Sequence, residues 1–127
     1  VLLGALQNHS KIVLEWNLAN DGSFGPHTPG GCTECKGALT IDGSTVTRNV
    51  AYYIIAHAAK FVPAGSVRVQ SNRTRNIETV AFLTPKGDTI LILLNNGTVM
   101  DQLNIGHRNQ WFDLALKAGD VATIVFK

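Results

Sequence analysis

Charge is scarce in this sequence and neither sign dominates: 11 Lys and Arg stand against 9 Asp and Glu, a net charge of +2. The basic residues are dispersed rather than striped along one face, so the electrostatic footprint of a nucleic-acid binder is missing. No apolar run approaches the roughly 20 residues that a membrane-spanning helix needs, so no membrane span is expected. Cysteine is limited to Cys32 and Cys35, too few for a zinc site unless histidines complete it. There is no internal repeat and no low-complexity tract. The chain opens on Val1, with neither a starting Met nor a signal peptide in front of it, and it is expected to begin inside a longer protein.

What is present suits one folded core: 127 residues, 45% of them hydrophobic. Residues 1–8 have helix-compatible composition without a capping residue at their start and read as the tail of a helix. Asn8-His9-Ser10 then links into Ile12-Val13-Leu14-Glu15-Trp16-Asn17-Leu18-Ala19, a short apolar run closed by the turn-forming Asn20-Asp21-Gly22. A strand covered on both faces gives such a run, and parallel sheets flanked by helices contain such strands. Its polar residues gather at the C-terminal end, where α/β barrels place their chemistry. From Asn20 to Asn49 no periodicity holds, and a loop of that length is usually functional or disordered; within it, residues 38–43 could form a short strand and turn.

Residues 49–62 carry the clearest helical pattern. Val50, Tyr53, Ile54, His57, Ala58 and Phe61 recur at helical spacing, and Pro63 ends the run. The opposite side is small and apolar too, so this helix is expected to be buried between two bodies. After Pro63-Ala64-Gly65 the pattern changes to short strands at 67–70, 77–83, 89–94, 99–105, 112–116 and 121–126. Turn signals Lys86-Gly87-Asp88, Asn95-Asn96-Gly97, Gly106-His107 and Ala118-Gly119-Asp120 separate most of them. This half reads as an antiparallel β-sandwich, with 89–94, apolar on both faces, as a central strand.

The candidate chemistry is thin. A glycoside hydrolase of the usual type needs two carboxyl groups flanking one bond, and most carboxylates here fall in turns or on the sandwich, where a solvated charge is the ordinary reading. Glu15 alone lies on the opening strand. Alternation puts Ile12, Leu14 and Trp16 on one face and Val13, Glu15 and Asn17 on the other, so Glu15 and Trp16 should not share a pocket. Trp16 could stack on a sugar ring or serve as a core tryptophan. Cys32-Thr33-Glu34-Cys35 could be a redox pair, half a zinc site completed by scattered His9, His27, His57 or His107, or a local disulfide. A disulfide pinning the loop of an exported protein fits best, because the motif sits inside a Gly-rich loop rather than at a strand-to-helix turn. His57, on the apolar face of its helix, reads as a hydrogen-bonded core histidine.

Two stretches together resemble a known family. Val13-Leu14-Glu15-Trp16-Asn17-Leu18-Ala19 followed by Gly25-Pro26, and then residues 51–66 ending Lys60-Phe61-Val62-Pro63-Ala64-Gly65-Ser66, resemble the C-terminal part of glycoside hydrolase family 30, which includes glucosylceramidases and endo-β-1,6-glucanases. Ala118-Gly119-Asp120-Val121-Ala122-Thr123-Ile124 suits the family's last strand, and the loop at residues 30–37 is closer to the β-1,6-glucanase branch. The resemblance implies a mixed architecture: the last helix, strand, loop and helix of a (β/α)8 barrel in residues 1–62, then an antiparallel β-sandwich domain in residues 63–127. It also implies that Trp16 lines the sugar pocket with Asn17 supporting the strand end, and that the rest of a barrel covers residues 1–62. The family's two catalytic glutamates end the fourth and seventh barrel strands and have no counterpart here, so no catalytic residue is assigned to this chain. The expected whole is a secreted retaining β-glycosidase acting on a β-glucan or glucoside, without metal or cofactor, and the chain alone is expected to be inactive. The rival expectation is a free-standing β-sandwich that binds carbohydrate or another protein.

Overall fold

Strands 89–95 and 77–83 are apolar at nearly every position, so both faces of the sheet they form must be covered, and the fold supplies two different covers. In a computed structural model that describes residues 1–127, β5 (Ile77–Leu83) and β6 (Thr89–Asn95) are the central pair of a four-stranded antiparallel sheet of order β4-β5-β6-β9, edged by β4 (Val67–Val69) and β9 (Val121–Phe126). Val80 pairs with Ile92 and Phe82 with Ile90, which puts these four side chains on one face. There they join Leu3 and Leu6 of helix α1 (Leu2–Gln7) and Ala58, Phe61 and Val62 in or just after helix α2 (Val50–Ala59) in one apolar cluster. The other face presents Ile77, Leu93 and Phe126, which pack with Ile105 and Leu116 of a two-stranded hairpin, β7 (Asp101–His107) and β8 (Gln110–Leu116).

A buried amide fixes the hairpin to the sheet. Asn95, fully buried at the end of β6, donates from Nδ2 to the carbonyls of Val99 and Leu116, both at 2.8 Å, while its Oδ1 accepts from Gly97 N–H at 2.9 Å. Its backbone closes two more bonds, to Asp120 O and from Gly119 N–H. A polar side chain buried without partners is costly; here every bond it makes ties a connecting turn to the strand.

The N-terminal half forms a separate small sheet of order β1-β2-β3, in which β1 (Ala19–Asn20) runs parallel to β2 (Leu39–Asp42) and β2 turns at Gly43 into antiparallel β3 (Thr45–Arg48). Asn49 couples this sheet to α2. Its Nδ2 donates to Gly37 O and Thr40 Oγ1, each at 2.9 Å, and its own N–H reaches Ala38 O.

Several expectations change here. The β-rich C-terminal half has the predicted strands in order, with the 89–94 strand central as β6, but the hairpin expected to turn at Gly106-His107 keeps both residues in β7 and turns at Arg108-Asn109. Residues 12–19 do not form one buried strand: only Ala19–Asn20 finds a ladder partner, and Ile12, Leu14, Trp16 and Leu18 stand 75 to 86% exposed. An apolar run signals that burial is favourable but not which surface supplies it, and no strand of this chain pairs with residues 12–16. No barrel forms from this chain by itself: residues 1–62 contribute two helices and the small sheet. Helix α2 is covered on one side only. His57 and Ala58 meet the sheet, while Val50, Tyr53 and Ile54 remain exposed and no residue of the helix is fully buried. Strand β3 was not expected: Thr45-Val46-Thr47-Arg48 is exposed throughout, and an edge strand without a buried face leaves little apolar pattern to read.

Ile92 fills the centre of the apolar cluster under the helices, so Ile92→Ala should lower the unfolding free energy by about 2–5 kcal/mol, read from urea denaturation of the two proteins side by side. Stability should also depend on pH in a defined direction. Burial between α2 and β9 lowers the pKa of His57, whose Nδ1 lies 2.8 Å from Thr123 Oγ1. Unfolding restores the ordinary value near 6.5, so the unfolded chain binds more protons and stability is lost as pH falls below that value. Glu78 adds a loss at lower pH. The Gln7 amide, 2.9 Å away, and the Arg73 guanidinium, 2.6 Å away, hold its carboxyl below the usual range, a contribution lost as pH falls through about 4.5 and below. Midpoints measured across the range should hold level above about 6.5 and decline beneath it, and His57→Gln should remove the first part of the decline while leaving the second.

Candidate functional site

The extended chain at 12–18 leads into β1, and the loop 21–37 leaves β1 and returns beside it to enter β2. Asn20 decides the loop's path. Its side chain is buried, its Nδ2 donates to Phe24 O and to Cys35 O, each at 3.0 Å, and its Oδ1 accepts from Gly37 N–H. One amide therefore pins the start, the far limb and the exit of the loop. Gly37 is required by close approach: a Cβ there would strike Asn17 Oδ1, come within 2.8 Å of Asn20 Oδ1 and within 2.9 Å of Ala19 Cα. Asn17 O accepts from Ala38 N–H at 3.0 Å, and Leu18 O from Leu39 N–H at 2.9 Å, which extends the contact between the two segments.

The first limb of the loop is a compact turn. Asp21 Oδ1 accepts from Ser23 N–H and Gly25 N–H, both at 2.8 Å, and Asp21 N–H donates to Gly25 O. The second limb carries less backbone pairing: Gly31 N–H donates to Thr28 O, and the Cys32–Cys35 disulfide, with Cα atoms 5.5 Å apart, closes the turn that follows. The peptide bonds Trp16–Asn17 and Gly25–Pro26 are cis.

These segments enclose an open cleft of about 420 Å³. Trp16 and Asn17 line it from the extended chain, Phe24, His27 and Thr28 from the first part of the loop, and the disulfide from the second. Trp16 is 81% exposed, so its ring is not packed in the core of this chain. Asn17 and Trp16 share the cleft although strict alternation places them on opposite sides of a strand; the irregular backbone of residues 12–18 does not keep that alternation. Asn17 Oδ1 is buried and has no hydrogen-bond partner.

Glu15 is exposed, makes neither a hydrogen bond nor an ion pair, and does not line the cleft. The histidines considered as zinc ligands are dispersed. His9 lies near Arg68, His57 bonds Thr123, His107 packs on Phe126 with ring centroids 4.9 Å apart, and only His27 is at the cleft. No cluster of three or more His, Cys, Asp or Glu side chains has metal-holding geometry. Sequence reasoning missed Asn20 and Gly37 as organisers of the cleft and Thr28 as part of its wall, and it offered His27 only as a distant zinc ligand. Asn20-Asp21-Gly22 reads locally as a turn; that the Asn20 amide also holds residues 35 and 37 is a long-range fact without a local signature.

The comparisons with known proteins converge. Residues 65–124 match the glycosyl hydrolase family 30 beta sandwich domain. The chain is 34% identical over 100 residues to the endo-1,6-beta-D-glucanase neg1 of Aspergillus fumigatus, covering 73% of this chain and 20% of that protein. It is 29% identical over 86 residues to the lysosomal acid glucosylceramidase of Mus musculus, covering 66% of this chain and 17% of that protein. Among solved structures, the endo-beta1,6-glucanase BT3312 superposes with a TM-score of 0.79 at 33% identity, over 95% of this chain and 28% of that one. The chain thus spans about a fifth of the length of the curated relatives it matches. With the sandwich match, the glucanase and glucosylceramidase relatives and the shared fold agreeing, the chain belongs to glycoside hydrolase family 30, corresponds to its C-terminal part, and carries no counterpart of the family's two catalytic glutamates.

Proposed function

We propose that this chain supplies one wall of the sugar site and the accessory β-sandwich of a β-glycosidase acting on β-1,6-linked glucan. Residues 1–62 serve as the end of a (β/α)8 barrel, residues 63–127 as the sandwich domain, and the exposed Ile12, Leu14 and Leu18 as a surface that the remainder of such a barrel covers. The observation that carries the reading is the cleft itself: an exposed indole face at Trp16 beside the Asn17 amide suits a pyranose, whose C–H face is apolar and whose rim is hydroxylated. The greater likeness to β-1,6-glucanases than to the glucosylceramidase favours glucan over a glycolipid. Export fits the Cys32–Cys35 disulfide, which persists in oxidising compartments.

Chemistry is assigned elsewhere. Retaining hydrolysis needs an acid/base and a nucleophile within about 5–5.5 Å of each other, and the cleft is lined by no carboxylate. The chain alone is therefore expected to release no reducing sugar from β-1,6-glucan or from an aryl β-glucoside, and turnover that vanished in Glu15→Gln would overturn the placement of that residue outside the site. Binding is the positive test. Titration calorimetry with a β-1,6-linked gluco-oligosaccharide should show an interaction that Trp16→Ala weakens at least about tenfold, whereas Trp111→Ala, on the β7–β8 hairpin, should leave it unchanged.

A further inference from the structure

The cleft holds four polar side chains, and the hydrogen-bonding capacity of one of them is already committed. Both Nδ2 hydrogens of Asn20 are engaged by Phe24 O and Cys35 O, and its Oδ1 by Gly37 N–H. The groups left for a ligand's hydroxyls are the Asn17 Nδ2, His27 and Thr28. The last two are exposed side chains on the same short segment of loop, Pro26-His27-Thr28-Pro29. That segment has little to hold it. Backbone pairing between Thr28 and Cys35 is confined to Gly31 N–H to Thr28 O, no regular element covers it, and the covalent Cys32–Cys35 link follows directly. The limb beyond the bridge returns to the Asn20 anchor through Cys35 O. The Asn20 amide holds the backbone on either side of this segment, at Phe24 and Cys35, and the disulfide closes the turn that follows it, which limits the backbone freedom left to lose on binding and favours affinity.

We infer that His27 and Thr28 are specificity-determining residues of the sugar site, hydrogen-bonding to hydroxyls of the glucosyl unit stacked on Trp16, and that the Cys32–Cys35 disulfide positions them. The inference rests on the reading of the cleft as a sugar site and assigns the polar half of the recognition. The imidazole offers one donor and one acceptor and the threonine hydroxyl one donor and two acceptors, a set matched to adjacent hydroxyls of a hexopyranose and poorly matched to an analogue lacking them. The disulfide takes no part in chemistry; its effect on binding passes through the loop it closes.

The test uses calorimetric titration of the chain with a β-1,6-linked gluco-oligosaccharide, and thermal melts check that each variant is folded. His27→Ala and Thr28→Val should each weaken binding roughly threefold to tenfold, the value of one net hydrogen bond, and His27→Gln, which keeps a donor and an acceptor, should restore most of the loss. Treatment with a phosphine reductant should weaken binding by the wild-type chain by a similar factor. The Cys32→Ser/Cys35→Ser variant should bind as weakly as the reduced chain and not respond to reductant. If the wild-type chain binds, Trp16→Ala does not, and the His27 and Thr28 variants bind as tightly as wild type, the inference fails while the sugar site stands. If reduction leaves the wild-type affinity unchanged, the positioning role of the bridge is wrong. If the oxidised wild-type chain binds no oligosaccharide, the sugar-site reading falls and this inference with it.

Discussion

A β-sheet whose two faces are both apolar cannot face water on either side, and this constraint organises the chain. Val80, Phe82, Ile90 and Ile92 demand one cover and Ile77, Leu93 and Phe126 another. Helices α1 and α2 answer the first and the β7–β8 hairpin the second. The two covers are not equivalent in how they are held. The helices are held by side-chain packing supplemented by a few polar contacts, such as Gln7 to Thr79 O and His57 to Thr123. The hairpin is held as well by the buried Asn95 amide, which binds the turns at both of its ends. A core of this kind tolerates little loss of volume at Ile92 and little loss of polarity at Asn95.

The sheet also determines where the cleft sits. Helix α2 is seated on β9 and the apolar cluster, and Asn49, at its N-terminus, carries that placement into the small sheet through Gly37 and Thr40. Asn20 and the close contact at Gly37 then fold the loop 21–37 back beside Trp16. Asn20 and Asn95 thus perform the same physical task. Each is buried, each spends its amide on backbone groups far along the chain, and each converts an irregular connection into a fixed one.

The parts of the fold legible in the sequence are those in which local pattern and burial agree. Strands β5, β6 and β9 combine β-branched or apolar runs with turn residues at their ends, and the exposed turns at Gly87 and Gly119 take the positive φ that glycine permits. Where local pattern and burial part, the reading fails. Residues 12–18 have the composition of a buried strand without a neighbour to pair with, and α2 has apolar residues all round while one side stays open. Strand β3 has the reverse problem, with pairing but no buried face. In the cleft, Trp16 and the cysteine pair stand out from sequence alone because their residue types are rare and their chemistry narrow. Asn20, Gly37 and Thr28 do not, since their roles arise only when a loop of 17 residues between Asn20 and Ala38 closes on its own base.

The walls of the cleft carry aromatic, amide, imidazole and hydroxyl groups and no carboxylate. The chain contains two tryptophans, Trp16 in the cleft and Trp111 on the hairpin, packed over Gly106, and their indole N–H groups report on the two places separately. The most direct measurement is a two-dimensional 1H–15N spectrum followed during titration with a β-1,6-linked gluco-oligosaccharide. A sugar site at the cleft requires the Trp16 indole resonance to move saturably while that of Trp111 stays in place. Movement of Trp111 alone, or of neither, would contradict it.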